Sequence, residues 1–272
     1  RFLPLVLIAS LVAYLLLALE LCPLEKFYDI TGNTWGLAMI ENEFTFGEAL
    51  EIGLFRCFFE RTHLVSPFWC MFYIFLGSML SFVMMLLYTK IDNKIFFFGS
   101  AIVLFYFVDQ NYLAFIIGLI AGIIANKEYS LSKWKGALLV AVGCVLGLFP
   151  PVLLPSFIDI VTLYALGAGF VIVGIHCCFS NNRLLCNKFA EFLGKESLAL
   201  IVWQFLIMQS LNIFLYNSFH SAGMSNPMNI AINFGINAAL SLFLTWVSSK
   251  TITPLTNYLC RQMSALLWRK SK

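Results

Sequence analysis

The chain has 272 residues, of which 61% are hydrophobic and 11% are charged, and its formal net charge is +3. A soluble globular protein carries about a quarter charged residues, and one soluble core cannot absorb this excess of apolar side chains. The composition therefore excludes a secreted disulfide scaffold, a nucleic-acid-binding domain and a disordered chain. It predicts an all-α polytopic membrane protein with the lipid bilayer as a partner and no nucleic acid partner.

Eight apolar runs follow one another along the chain and predict a bundle of eight transmembrane helices. Several runs reach the ~20 residues that a hydrocarbon core of ~30 Å requires. The predicted spans cover residues 2–19, 68–88, 95–108, 112–125, 136–153, 157–179, 197–216 and 228–247. The third and fourth runs are short enough to form a re-entrant hairpin instead, but the charges on both sides of them favour two thin or tilted spans.

The positions of the charged residues predict the orientation of these spans. With the N-terminus inside, all but three of the 17 Lys and Arg residues fall on the cytoplasmic side, the exceptions being Lys26, Arg56 and Arg61. Basic residues concentrate in the cytoplasmic segments of membrane proteins. We therefore predict a multi-pass protein of the cell membrane, plasma or inner, with both ends of this chain in the cytoplasm.

Two segments outside the spans also have predicted locations. Residues 20–66 form an extracytoplasmic loop, and the helical spacing of apolar residues over 44–59 predicts a short amphipathic helix on the outer membrane surface. Residues 248–272 form a cytoplasmic basic tail, in which 251–272 is predicted to be a separate interfacial helix that meets anionic lipid.

The eight Cys and three His residues show no metal-ligand spacing, so no metal site is predicted. Cys22 and Cys57 lie in the same outer loop. In an oxidising compartment they could form a disulfide, and two free thiols are the equally open alternative.

Polar residues within the spans are candidates for function. Asp109 lies at an outer span end, Gln204 lies within a span, and Asn233 and Asn237 form an i,i+4 pair on one helix face. Polar groups at this depth face protein or water, and hydrogen bonds between helices explain them more simply than a substrate path. The Gly-xxx-Gly pairs that predict close helix packing lie at 118–122 and 143–147.

Four stretches, in order along the chain, resemble the motifs of one enzyme family. They are Arg1-Phe2-Leu3-Pro4; Phe68-Trp69-Cys70-Met71 with Gly77-Ser78; Leu193-Gly194-Lys195-Glu196-Ser197 with residues 200–205; and Lys250-Thr251-Ile252-Thr253-Pro254. Together they resemble membrane acyltransferase family three, the multi-pass enzymes that O-acylate cell-surface glycans and related acceptors. That family has ten spans with both ends in the cytoplasm, so the resemblance implies one acyltransferase-like domain over 1–272 that lacks the first two spans.

The resemblance implies an activity and a set of site residues. The expected reaction moves an acyl (acetyl) group from acyl-CoA, the donor substrate, to a hydroxyl of a cell-surface glycan or similar acceptor, with no bound cofactor. Trp69, Ser78, Asp109 and Gln204 are the expected substrate-binding residues, and Arg1 is expected to bind the donor. Trp69, Gly77 and Ser78 are further expected to line or support a cavity that they share with Gln204.

Three departures from the family pattern affect the expected activity. The family's Glu after the Trp motif falls on Ile74, its His falls on Gln204, and the Glu before its closing Pro falls on Thr253. The resemblance also implies that the family's catalytic His lies in its first two spans, which are not represented in residues 1–272. We therefore expect this chain alone to be inactive, because acyl transfer needs a general base. The alternatives are a non-catalytic divergent relative and a small-molecule transporter, with which polar residues within spans are compatible.

Overall fold

The computed structural model describes residues 2–32, 44–62, 64–126, 132–154, 159–179 and 187–269. Every regular element in these ranges is helical, which confirms the predicted all-α class. In chain order the helices are α1 (Leu3–Ala18), α2 (Leu24–Thr31), α3 (Phe46–Glu51, continued by a π-helical turn over Ile52–Arg56 and by Cys57–Phe59), α4 (Phe68–Tyr88), α5 (Lys94–Val108), α6 (Leu113–Ala125, after a 3-10 turn over Gln110–Tyr112), α7 (Lys133–Gly147), α8 (Ile160–Phe179), α9 (Lys188–Lys195), α10 (Ser197–Ser221) and α11 (Asn226–Arg269).

The chain divides into two compact units. Unit 1 comprises Arg1–Phe72 and Phe192–Lys272, and unit 2 comprises Tyr73–Glu191. Unit 1 therefore holds α1, α2, α3, α10 and α11, and unit 2 holds α5 to α8, while the boundaries fall within α4 and α9.

Four helices are long and apolar enough to cross a membrane. They cover Phe68–Tyr88, Ile160–Cys177, Ser197–Ser221 and Asn226–Gln262. Shorter apolar helices cover Leu3–Ala18, Lys94–Val108 and Gln110–Ala125. The longest α-helix among these, α1, has 16 residues and is roughly 24 Å long, which is less than the ~30 Å of a hydrocarbon core. The four long helices are compatible with a membrane protein, and the count of eight spans stays a prediction.

The helix α7 ends earlier than the predicted span over 136–153. It stops at Gly147, and a 3-10 turn follows over Pro151–Leu153. Proline has no N–H to donate to the helix, and its ring disfavours the α conformation of the residue before it, so Pro150 and Pro151 exclude a continuing helix. Hydropathy alone does not register this effect, and the predicted span was therefore too long at its end.

The helix α11 joins two elements that the sequence predicted separately. The span predicted over 228–247 and the helix predicted over 251–272 belong to one helix of 44 residues with Pro254 inside it. Residues 251–269 are thus helical as predicted but do not form a separate helix, and their place at a membrane interface stays a prediction. Ser248 and Thr256, which lie before and after the proline, are both buried. The helix's length of roughly 66 Å exceeds the ~40–45 Å of a whole bilayer.

In unit 1, α3 packs against α1 through small residues. The Ser10 hydroxyl donates a hydrogen bond to the Ala49 carbonyl. A Cβ placed on Gly53 would lie 2.9 Å from the Cα of Leu7. No side chain larger than glycine fits at that point unless the two backbones move apart.

The sequence of α3 also fixes its start and its exposed side. Thr45 and Glu48 form a capping box, in which the Glu48 N–H donates to Thr45 Oγ1 and the Thr45 N–H donates to the Glu48 carboxylate. Phe55 and Phe59 on the other side are exposed. The helix predicted over 44–59 is thus confirmed, while its place on a membrane surface stays a prediction.

The two cysteines of the predicted outer loop are free thiols in this structure. Burial raises the pKa of Cys22 to about 11 and that of Cys57 to about 12. Both thiols therefore stay protonated at neutral pH, and Cys57 contributes as a small apolar side chain.

In unit 2, α7 and α8 approach each other through glycines. A Cβ on Gly143 would lie 2.6 Å from the Gly167 carbonyl oxygen, and a Cβ on Gly174 would lie 2.9 Å from the Gly136 carbonyl oxygen. The predicted packing at 143–147 is confirmed by this contact. The pair at 118–122 has no described atom within 4 Å of either Cβ position, so close packing there was wrong for the described part of the chain.

Candidate functional site

Unit 1 contains a partly open cavity of about 60 Å³ at the start of α1, the junction of α9 and α10, and the middle of α11. Its lining residues are Phe2, Leu5, Lys195, Glu196, Leu198, Ala199, Ser248, Ile252, Thr253 and Thr256. Small-molecule pockets typically measure ~300–1,000 Å³. The cavity therefore has room for an end group of a ligand rather than for a whole cofactor-sized molecule.

The polar centre of this cavity is a contact between Glu196 and Thr253. The Thr253 hydroxyl donates to the Glu196 carboxylate, with its Oγ1 3.1 Å from Oε2 and 3.4 Å from Oε1. Both side chains are half-buried. Glu196 is also the residue that precedes the first turn of α10, where the helix dipole favours a negative charge.

A second hydrogen bond supports the wall of the cavity. The indole Nε1 of Trp203 donates to the Ser248 hydroxyl oxygen over 2.7 Å, and both residues are buried. Trp203 lies on α10 and Ser248 on α11. This bond connects the two helices at the level where the cavity opens, so the positions of Glu196 and Thr253 depend on it.

The arrangement is chemically suited to work on a hydroxyl group. A half-buried carboxylate can accept a proton from an alcohol, and the hydroxyl of Thr253 holds that carboxylate in one orientation. Lys195 is exposed beside it and lines the same cavity, where an ammonium group can meet an anionic ligand. In the described part of the chain, no three His, Cys, Asp or Glu side chains come together as metal ligands.

Glu196 was missed as a site residue by the sequence reasoning, although it lies inside one of the four motifs. The sequence held part of the information needed to find it. Thr253, in the fourth motif, stands where the family has a carboxylate, and Glu196 supplies a carboxylate in the third motif. Their separation of 57 residues hides the contact from any local pattern.

Two expected site residues in unit 1 do not line the cavity. Trp69 is 45% exposed. The Gln204 side chain is exposed, and its backbone carbonyl accepts a hydrogen bond of 3.2 Å from Asn237 Nδ2. Binding of substrate by these two residues stays a prediction that the cavity does not support.

The expected site residues of unit 2 have local partners. Ser78 is exposed, and its hydroxyl donates to the Ile74 carbonyl oxygen over 2.6 Å. Its neighbour Gly77 lies against the ring of Phe115, since a Cβ on Gly77 would be 2.4 Å from that ring. This second motif therefore has a packing role between α4 and α6.

Asp109 holds the turn between α5 and α6. Its carboxylate accepts hydrogen bonds from the Tyr73 hydroxyl over 3.0 Å and from the backbone and side-chain nitrogens of Asn111 over 3.0 Å and 2.8 Å. Because these hydrogen bonds satisfy the carboxylate, its role in stabilising the turn is enough to explain a polar residue at this position. Its role in substrate binding stays a prediction.

Arg1, the residue expected to bind the donor, lies outside the described residues, while the adjacent Phe2 lines the cavity. Another basic residue, Lys94, lies at the start of α5. The ammonium group of Lys94 donates to the carbonyls of Tyr88 and Ile91. Lys94 therefore caps the end of α4, which gives it a structural role.

A row of buried polar side chains runs along α11, and we call it, with its buried partners on α10, the polar seam. Its members on α11 are Asn229, Asn233, Asn237, Ser241, Thr245 and Ser248, and those on α10 are Gln209, Ser210 and Asn217. Several bonds link the two helices. Asn237 bonds the Gln204 carbonyl, Asn212 Nδ2 donates to the Asn233 carbonyl over 3.4 Å, and Asn229 Nδ2 donates to the Tyr216 carbonyl over 3.0 Å.

The seam confirms the interhelical hydrogen bonding predicted for Asn237. The Asn233 amide instead donates to the carbonyl and side-chain oxygens of Asn229 on its own helix. The extent of the seam was missed, because Ser and Thr within an apolar run do not stand out by composition. The seam includes the π-helical stretch of α10 over Met208–Asn212. Such stretches are frequent at functional sites in helices.

Comparisons with known proteins do not assign the chain to a family: no family model matches it, and no curated protein or solved structure matches it. The resemblance to the acyltransferase family therefore rests on the four motifs and on where the structure places them.

Proposed function

We propose that this chain is a membrane-embedded O-acyltransferase domain that moves an acetyl or related acyl group from acyl-CoA to a hydroxyl of a cell-surface glycan or similar acceptor. One observation carries the proposal. Three of the four motifs that suggested this activity are far apart in sequence, yet Phe2, Lys195, Glu196, Ile252 and Thr253 from these motifs line one cavity. Unrelated matches would have no reason to meet at one point.

Glu196 is the general base of the proposed reaction, and this assignment replaces the expectation that the chain alone contains no such group. Its carboxylate takes the proton of the acceptor hydroxyl, and the alkoxide oxygen forms a bond to the thioester carbonyl carbon. The carbon–sulfur bond then breaks, the thiolate of CoA leaves, and the proton passes to that sulfur. Thr253 keeps the carboxylate oriented, and the bond from Trp203 to Ser248 keeps α10 and α11 together.

The size of the cavity agrees with a site for the acyl end of the donor. A space of about 60 Å³ suits an acetyl group and its thioester, while the nucleotide part of CoA would lie outside. Lys195 at the cavity is the described cation that would meet a phosphate. The sequence neighbour of Phe2, Arg1, has the charge for the same role.

The proposal includes the predicted orientation, with both ends of the chain in the cytoplasm. The cavity would then face the cytoplasmic donor, since its lining comes from segments predicted on that side. Two single-cysteine variants test this in sealed vesicles, one retaining native Cys260 and the other carrying His220→Cys. An impermeant thiol reagent should label position 220 from outside and position 260 only after permeabilisation, and the reverse pattern overturns the orientation.

The activity test measures transfer of labelled acetyl from acetyl-CoA to a glycan acceptor pool in membranes that contain the full-length protein. Glu196→Gln should lower kcat by ~10²–10⁴-fold, the usual effect of losing a general base. Thr251→Ala is the control for Thr253→Ala, because the exposed Thr251 hydroxyl bonds only the Val247 carbonyl of its own helix in the described contacts. Thr253→Ala should reduce kcat, and Thr251→Ala should not.

Two outcomes separate the alternatives. Transfer that is unaffected by Glu196→Gln would exclude this cavity as the site. Absence of transfer from the unmodified full-length protein would favour a non-catalytic relative or a transporter over an enzyme.

A further inference from the structure

Four buried side chains of the polar seam have polar atoms without a hydrogen-bond partner in the described structure. Gln209 is 1% exposed, and neither its Nε2 nor its Oε1 is bonded. The Oδ1 atoms of Asn217 and Asn233 and the Oγ1 atom of Thr245 are also unbonded. All four side chains are at least nine-tenths buried.

Native proteins rarely leave buried polar groups unpaired, because such a group loses its bonds to water and gains nothing in return. One such atom can be an isolated exception. Here the atoms are concentrated on one pair of helices, α10 and α11, and on the faces that these helices bury. The concentration points to partners that occupy the seam in the protein.

The chemistry of the unpaired atoms defines those partners. Three of the atoms are amide oxygens, one is a hydroxyl oxygen, and one is the Gln209 amide nitrogen Nε2. The seam therefore needs a partner that both donates and accepts hydrogen bonds. Its side chains are all neutral, and a bare ion would therefore lack a compensating charge. Water has the required size and hydrogen-bonding capacity, and buried water usually makes about three such bonds.

We propose that the polar seam is an internal hydrated path, in which water molecules bond Gln209, Asn217, Asn233 and Thr245 along the contact of α10 and α11. From Asn229 to Ser248 the row extends roughly 28 Å along the helix axis at ~1.5 Å per residue, which is close to the ~30 Å of a hydrocarbon core. Ser248 also lines the cavity beside Glu196. The path therefore ends at the cavity, and water could reach the cavity along it as well as through the cavity's opening.

The π-helical stretch over Met208–Asn212 explains why the water is held at this level. A π-helical turn replaces the i→i−4 bonds of an α-helix with wider ones, which alters the direction of the side chains that follow. Gln209 lies inside this stretch and is the seam residue with both amide atoms unpaired. It is the central water-binding residue of the path.

Cysteine accessibility tests the path in the full chain reconstituted in lipid vesicles, in a background without native cysteines. Thr245→Cys and Ser241→Cys place a thiol in the seam, where the native residues are 0% and 2% exposed. Phe243→Cys and Trp246→Cys are matched controls on the same helix, at exposed positions that would face lipid. A charged, water-soluble methanethiosulfonate reagent needs the thiolate, which forms in water and not in hydrocarbon.

The seam cysteines should react at least about tenfold faster than the lipid-facing controls, because only they can ionise. Equal or slower reaction of both seam cysteines overturns the proposal. The labelling does not depend on catalysis, so its failure and the failure of the acyltransferase proposal are separate results.

Radiolytic hydroxyl-radical footprinting of the unmodified protein gives a second measurement that avoids substitutions. Bound water generates radicals in place, so Met208, next to Gln209, should be oxidised in lipid vesicles. The exposed Met79 and Met85 of α4 are the controls that lipid would cover. Oxidation of Met208 no faster than that of these controls would contradict a hydrated seam, whatever the cysteine variants do.

Discussion

Two helix contacts of this molecule are built from opposite kinds of residue. In unit 2, α7 and α8 meet through Gly143 and Gly167. The two backbones are so close that a Cβ on either glycine would overlap the carbonyl oxygen of the other. In unit 1, α10 and α11 meet through buried Asn, Ser, Thr and Gln side chains. Apolar helices in lipid gain little from the hydrophobic effect, so they associate by close packing or by hydrogen bonds. The chain uses close packing between α7 and α8 and hydrogen bonds between α10 and α11.

The two contacts differ in whether they leave polar groups available for further hydrogen bonds. The glycine contact leaves no space and no spare polar atom between Gly143 and Gly167 in the described structure. The polar contact holds the helices with hydrogen bonds such as that from Trp203 to Ser248, and it also leaves polar atoms over. Unpaired buried polar atoms can bind water or a ligand, and most of those in the described structure lie on α10 and α11 of unit 1.

The largest expected effect tests the glycine contact. Gly143→Leu should destabilise unit 2 by at least ~1–3 kcal/mol, because overpacking forces backbone shifts and the nearest atom is the Gly167 carbonyl oxygen at 2.6 Å. Thermal unfolding of the detergent-solubilised protein measures the change. Gly118→Leu is the control, since no described atom lies within 4 Å of its Cβ position. Equal unfolding midpoints for the two variants would show that α7 and α8 are not closely packed.

The polar contact should lose stability when one hydrogen bond is removed. Trp203→Phe leaves the buried Ser248 hydroxyl without its indole partner, which we expect to cost ~1–3 kcal/mol. Trp246→Phe makes the same change at a side chain that is 52% exposed and should have little effect. The same unfolding measurement compares them. A cost for Trp246→Phe as large as that for Trp203→Phe would argue against a specific bond.

A smaller effect concerns α3, the element of unit 1 that is held by a capping box. The backbone and then the hydroxyl of Thr45 donate to Glu48 and hold the pKa of its carboxyl below the ordinary 4.5. Because the folded-state pKa is the lower one, this contribution is fully present above the unfolded pKa and is lost as pH falls through the folded pKa. Hydrogen exchange over 44–59, corrected for intrinsic rates, should therefore rise on acidification below about 4.5.

Thr45→Ala should reduce this dependence without abolishing it, because it removes the hydroxyl donor while the backbone N–H of residue 45 can still donate to Glu48. A variant with an unchanged pH profile would show that the Thr45 hydroxyl contributes nothing to the effect.

The smallest expected effect concerns the labelling of a buried cysteine in α3 of unit 1. Cys57 is 0% exposed, and its pKa of about 12 keeps the thiol protonated. Maleimide at mildly alkaline pH should label the exposed Cys260 and leave Cys57 unlabelled until the protein is denatured in SDS. Mass spectrometry of the peptides reports both sites. Prompt labelling of Cys57 in the native protein would indicate that α3 separates readily from α1.

The helices were the most predictable part of this fold. Apolar runs predicted α4 with both ends correct, and the spacing over 44–59 predicted α3. These features depend on neighbours within a few residues of each other. Errors occurred where a local rule competed with tertiary contacts, as at Pro254, which lies inside the helix α11.

The candidate site was only half predictable. The motifs directed attention to the segments around residues 2, 196 and 253, and those segments meet. The chosen residues within or near motifs, Trp69 and Gln204, are exposed instead. A motif identifies a stretch of chain, while the direction of each side chain depends on the helix rotation that packing selects.

The sequence by itself determined that this protein is all-helical and that its helices are long and apolar, because hydropathy and proline act locally. The tertiary structure decided that Glu196 contacts Thr253, which is 57 residues away, and that the polar residues of α10 and α11 face one another. Such contacts require the chain to return on itself, and their partners are selected by the competition of all helix faces for burial rather than by any single segment.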